Sequence, residues 1–192
     1  SRKASFKNVD LSYNQKTMIF QSAIFLLSAS FEEYLKSLFE DLVYSYAKEG
    51  AFLSELPSNF RSLVLLNQQL DIFKNYILKG DERKILRRLD VNQNHYKIIN
   101  NNVIFSNQIK PNLILGTKKY PSIKNLNVLF NRLGIKDIIN EINKKGKKNY
   151  KLILQSFLDI RENLAHGVAP SITYDDVKRH YENLEEIIRL ID

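Results

Sequence analysis

Arg161, Glu162, Asn163 and His166 crowd into the last turn and a half of a helical pattern that Gly167 and Pro170 stop. Leu154, Phe157, Ile160 and Leu164 fall at helical spacing along the same stretch. A titratable imidazole and a permanent guanidinium at one helix end suit phosphate chemistry, since one moves a proton and the other holds an oxyanion. Asn163, three positions before His166, is close enough to orient substrate or imidazole. Glu162, four before it, can favour the charged imidazole.

Five positions of an α-helix amount to about 500° of rotation and about 7.5 Å of rise, so Arg161 and His166 leave the axis roughly 140° apart. One narrow face cannot hold both. Either the last turn distorts at Gly167, or a second copy of the chain supplies the missing side. Two such helices across a two-fold axis would gather two Arg161 and two His166 in one cleft.

Arginine, four residues, then histidine and glycine at the end of an amphipathic helix resembles the HEPN superfamily of helical ribonucleases, in its RiboL-PSP-HEPN-like branch. The stretch Ala23-Ile24-Phe25-Leu26-Leu27-Ser28-Ala29-Ser30-Phe31-Glu32-Glu33-Tyr34-Leu35 and the closing Ile172-Thr173-Tyr174-Asp175-Asp176-Val177 carry the same resemblance, which therefore touches both ends of the chain. It implies an all-α, up-down bundle and a homodimer that cuts RNA through a shared Arg161/His166 cleft, with no metal and no cofactor. His166 would take the proton of a 2′-hydroxyl while Arg161 holds the scissile phosphate, leaving a 2′,3′-cyclic phosphate and a 5′-hydroxyl. DNA, lacking that hydroxyl, would be inert. The resemblance further implies a toxin or an antiphage or stress defence effector, with an antitoxin or a larger defence assembly as company.

Two positions depart from the family pattern. Val168 stands where toxins silenced by a nucleotidyltransferase commonly carry tyrosine, which argues against silencing by nucleotide transfer. Glu162 follows the arginine where many members have Asn, Asp or His, and it brings negative charge to an RNA site.

Composition narrows the alternatives. A 192-residue chain with 44% apolar residues can build one globular domain spanning residues 1–192. The absence of cysteine excludes disulfides and thiolate metal sites, and the three histidines, His95, His166 and His180, show no metal-ligand spacing. No apolar run is long enough to cross a membrane and no secretory signal opens the sequence, so a cytoplasmic protein is expected. The opening Ser1 fits a chain trimmed from something longer. A net charge of +8 favours anionic partners, RNA first.

The elements that must position the motif read as follows. Residues 1–13 form a polar arm. From Asn14 to Lys48, Ile24, Leu27, Phe31, Leu35, Leu38, Leu42 and Tyr46 make a helical stripe that Ile19, Ala23, Leu26, Phe39 and Val43 widen, so the helix should be packed on more than one side. A second helix opens at Pro57-Ser58 and runs to Gly80 through Phe60, Leu63, Leu66, Leu70, Phe73 and Ile77. A third, from Asp81 to Leu89, carries a basic face of Arg83, Lys84, Arg87 and Arg88. Residues 90–121 break the pattern with seven asparagines and form a long irregular insertion. Helices follow over Ser122 to Leu133 and Ile135 to Asn143, then a basic connection of Lys144, Lys145, Gly146, Lys147 and Lys148, whose lysines are weak candidates for RNA contacts. The motif helix spans Asn149 to His166 with Leu152, Ile153, Phe157 and Ile160 buried. Thr173 to Asp176 supplies a capping box for the last helix, where Val177, Tyr181, Leu184, Ile187, Ile188 and Ile191 are apolar.

Other polar positions have plainer readings. His180, beside Lys178 and Arg179, reads as solvated, and His95 as a loop residue; Glu32 and Glu33 mark a solvent side of the first helix, or pair with Arg161 if that face meets the motif helix. Two further functions compete with the nuclease: a non-catalytic HEPN-like module binding RNA or a nucleotide, and a structural dimerisation bundle.

Overall fold

The structure is a computed structural model, which describes residues 12–63, 66, 86–87, 115–116, 121–167 and 170–192. Its described elements are helical: α1 (Tyr13–Lys48), a short 3-10 helix (Leu53–Glu55), α2 (Ile123–Arg132), α3 (Ile138–Gly146), α4 (Tyr150–Ala165) and α5 (Tyr174–Ile191). The all-α class expected from the sequence is found, with no strand among the described residues. Residues 1–11 of the arm, the expected second helix beyond Leu63 apart from Leu66, the third helix apart from Leu86 and Arg87, and most of the 90–121 insertion lie outside the described residues.

α1 runs for 36 residues because nothing between Tyr13 and Lys48 interrupts it, neither glycine nor proline. Its ends are capped. The Ser12 backbone N–H donates to Gln15 Oε1 at 2.9 Å while Ser12 Oγ accepts from the Gln15 N–H at 3.4 Å, a reciprocal capping box that starts the helix at Tyr13, one residue before the Asn14 expected from the sequence. At the other end Gly50 takes a positive φ of 65°, its N–H bonds Ala47 O and the Ala51 N–H bonds Tyr46 O, a Schellman stop.

The chain divides into two compact units: residues up to Phe31 with Ile142–Asp192, and Glu32–Glu141. Both divisions fall inside helices, α1 and α3. In the second unit Phe39 meets Phe130 with ring centroids 5.5 Å apart, around a core that includes Val43, Phe60, Leu126 and Leu129. Asn59, in the helical stretch 58–63, donates to Asn131 O at 2.7 Å and ties that stretch to α2. Ser122 caps α2 and Gly134, φ 91°, ends it, as the sequence signals indicate.

In the first unit Ile24, Ser28 and Phe31 of α1, Tyr150, Leu154, Phe157 and Leu158 of α4, and His180, Leu184 and Ile187 of α5 are buried. Each large apolar side chain removed from water here contributes on the order of 2 kcal/mol. α4 and α5 are antiparallel, since Tyr150 at the start of α4 bonds Glu186 late in α5 and Phe157 further along α4 packs on His180.

Several sequence expectations are corrected. Leu152 is 65% exposed, and Tyr150, Leu154 and Leu158 take the core positions assigned to it and Ile153. Ile19 and Leu26 are exposed, so the N-terminal half of α1 is packed on one side only, whereas Phe39 and Val43 are buried as expected. Leu66 is exposed. α3 begins at Ile138 rather than Ile135, because Asp137 Oδ1 accepts from the Asn140 N–H at 3.0 Å and sets the start. It continues through Gly146, so Lys144 and Lys145 are its last turn, where cations oppose the helix dipole, and only Lys147 and Lys148 remain a connection.

Candidate active site

α4 is anchored at its start. Asn149 caps it, its side chain accepting from the Leu152 N–H at 3.2 Å, and the Tyr150 N–H donates to Asn143 Oδ1 at 2.8 Å. The Tyr150 hydroxyl donates to Glu186 Oε1 at 2.7 Å, and Lys148 Nζ donates to Glu186 Oε2 at 2.7 Å. Burial, aided by the Glu186 carboxylate, pushes the Tyr150 phenol up to about 12, while the bonds from Lys148 and Tyr150 hold the Glu186 carboxyl below its usual range. This post fixes α5 along α4. Of the candidate RNA lysines, Lys148 donates to Glu186 and Lys145 donates to Leu190 O at 3.0 Å, and all four, Lys144, Lys145, Lys147 and Lys148, are exposed. The Asn149 start was expected from the sequence, whereas the bonds of Tyr150 and Lys148 to Glu186 were not.

At the other end α4 stays regular through the motif. The His166 N–H still bonds Glu162 O at 3.0 Å, and the left-handed turn comes one residue later, at Gly167 with φ 76°. Arg161 and His166 therefore diverge by about 140°, as a regular helix requires. Arg161 lies three residues after Leu158, four after Phe157 and seven after Leu154, so it extends the buried stripe of α4 and is half-buried. His166 leaves on the opposite side with its side chain 74% exposed. Its Nε2 is 3.9 Å from Glu162 Oε1, an exposed contact of small energy. Asn163 is exposed. Val168 lies outside the described residues.

The antiparallel register places the motif against α5. Tyr150 bonds Glu186 and Phe157 meets His180, a trade of one residue for about one, which sets Ile160 level with Val177 and Asn163 level with Tyr174. Thr173 caps α5 with the expected box, its hydroxyl accepting from the Asp176 N–H and its own N–H donating to Asp176 Oδ2 at 3.0 Å.

His180 is the largest correction. Its side chain is 2% exposed, its ring lies 5.6 Å from that of Phe157, and neither nitrogen has a hydrogen-bond partner among the described residues. Burial, with Arg179 nearby, lowers its pKa. The signal was in the spacing: Val177, His180, Leu184 and Ile187 follow each other by three, four and three, and that period outweighs the charged neighbours at 178 and 179.

The family of the chain can now be stated. The chain is all-helical among its described residues, and the model of the RiboL-PSP-HEPN family matches residues 3–192, so the chain belongs to that family. No curated protein and no solved structure matches it. HEPN domains are often ribonucleases, often bind RNA and often dimerise.

Proposed function

We propose that this chain is a metal-independent endoribonuclease acting as a toxin or a defence effector, with Arg161 and His166 at a site shared by two copies. The observation that carries the reading is the regular end of α4, which presents an exposed imidazole and a half-buried guanidinium on different sides of one helix in a RiboL-PSP-HEPN chain. A single chain offers each group alone, and a two-fold axis offers both together.

His166 removes the 2′-hydroxyl proton, the freed oxygen attacks the adjacent phosphorus, and the 5′-oxygen leaves with a proton returned by the second imidazole. Arg161 holds the phosphate and stabilises the charge that grows on its oxygens. Asn163 orients the strand. Imidazole and guanidinium supply the proton transfer and the charge between them, so the step requires no cation.

The test is cleavage of a mixed-sequence RNA in EDTA, with the matching DNA as control. His166→Ala should lower the rate about 100- to 10,000-fold while sparing much of the RNA binding. Arg161→Ala should lose a similar factor and bind more weakly, having lost a phosphate contact. Equal rates for wild type and His166→Ala would reject the assignment. A second reading, RNA or nucleotide binding without catalysis, is favoured by Glu162, whose carboxylate stands 3.9 Å from the imidazole and repels phosphate. Retention on RNA with no cleavage by the wild type would decide for it.

A further inference from the structure

In the first unit, α1 and α5 leave an open groove of about 400 Å³ along their N-terminal halves. Half-buried Ala23, Leu27 and Val177 line it between the exposed Leu26, Tyr174 and Tyr181. Met18 and Ile19 continue the apolar surface along the same side of α1, with Ser22 and Ala29 as its small uncharged neighbours.

We infer that this face is where a second copy of the chain docks, resting on the shared-site reading above. Its area, first, is of the right size. With Leu26 68% exposed, Met18 67% and Tyr174 64%, the large side chains of the face offer roughly 600 Å² at their ordinary sizes, against about 800 Å² that each subunit buries in a standard interface. A rim of polar side chains supplies the remainder. Second, one patch holds both a ridge, Met18 and Leu26, and a furrow, Ala23, Leu27 and Val177, the two features that a two-fold contact pairs.

Charge, third, disfavours RNA as the occupant. Residues 174–185 carry Asp175, Asp176, Glu182 and Glu185 against Lys178 and Arg179, and Lys178, the charged residue of the groove, has Glu182 Oε1 at 3.9 Å. A chain of net charge +8 thus places a locally acidic helix beside this groove. Last, the register sets Tyr174, Val177 and Tyr181 level with Asn163, Ile160 and Ser156 of α4.

The test is the mass of the full chain in solution by sedimentation equilibrium, for the wild type and for Leu26→Asp and Tyr181→Asp. Both positions are exposed, so circular dichroism and the melting curve of each variant should match the wild type; if either unfolds, Leu26→Ser and Tyr181→Ser replace them. The expected result is a dimer whose dissociation constant rises at least about 100-fold in each variant, with RNA cleavage falling alongside. A wild type that stays monomeric at high concentration, or variants that stay dimeric, would overturn the inference. So would variants that lose RNA binding while the wild-type mass is that of a monomer, since the face would then belong to RNA. A dimer that the variants break but that never cuts RNA would leave this interface standing and reject the endoribonuclease reading, while an active dimer untouched by the variants would do the reverse.

Discussion

A neutral imidazole still carries one N–H, and at His180 that donor is buried with nothing to receive it among the described residues. Charging the ring there is worse, since the groups acting on it are Asp176 and Arg179 of its own helix, with opposite effects, while α4 presents the uncharged Phe157 and α1 buries Ile24, Ser28 and Phe31 in this unit. The folded-state pKa is therefore below the unfolded one, so below about 6.5 the unfolded chain binds the extra proton. Stability from neutral His180 is full above that pH and falls as pH drops below it, by at most about 1.4 kcal/mol per unit. Asp176, whose pKa is lowered by its bonds from Thr173, begins to lose its share only further down, below about 3.8. Urea unfolding at a series of pH values should show His180→Leu flattening the slope that begins below about pH 6.5 and raising the midpoint at the acid end of the series. A variant with the wild-type slope would show that His180 is protonated without penalty.

Helices are the scale at which the sequence was most readable, and the reasons are local. Asn149 and Gly167 bracket α4, Ser122 and Gly134 bracket α2, and Thr173 with Asp176 starts α5, each a cap whose chemistry lies within a few residues. Faces were less readable, because which side of a helix is covered depends on partners far away in sequence. Leu152 and Leu26 are apolar by type and exposed by position, and Arg161 reads as a polar motif residue although it continues the stripe of Leu154 and Phe157. Gly146 is a further case. Inside a helix an alanine is ordinarily better by about 1 kcal/mol, yet at Gly146, the last residue of α3, a methyl would overlap the Tyr150 ring and hydroxyl. Gly146→Ala should accordingly destabilise, by about 1 to 3 kcal/mol of overpacking, read from the shift in thermal midpoint. A gain would mean that Tyr150 can move aside without losing Glu186.

For the whole molecule, charge and symmetry make the demands. A chain of net +8 should bind RNA less tightly as salt rises, because each phosphate contact releases counterions, and binding flat from low to moderate salt would favour a purely structural bundle. Mixing Arg161→Ala with His166→Ala asks how the two halves of the site are shared. Recovered cleavage would mean that one Arg161 and one His166 from opposite copies suffice; none would mean that each copy must bring both. The motif and its helix were visible in the sequence, whereas the groove was not, since exposed apolar residues on α1 and α5 look like core until the packing leaves them outside.

The Tyr150 post gives the molecule an optical gauge of its own assembly. A phenol held up to about 12 beside Glu186 stays un-ionised while an ordinary one, near 10, has already become phenolate and gained its near-ultraviolet absorbance. In an alkaline titration Tyr150 should therefore supply a late rise, missing from Tyr150→Phe. Anything that slides α5 along α4 would bring that rise forward, making the alignment of the two helices beside the motif a quantity that can be followed by colour.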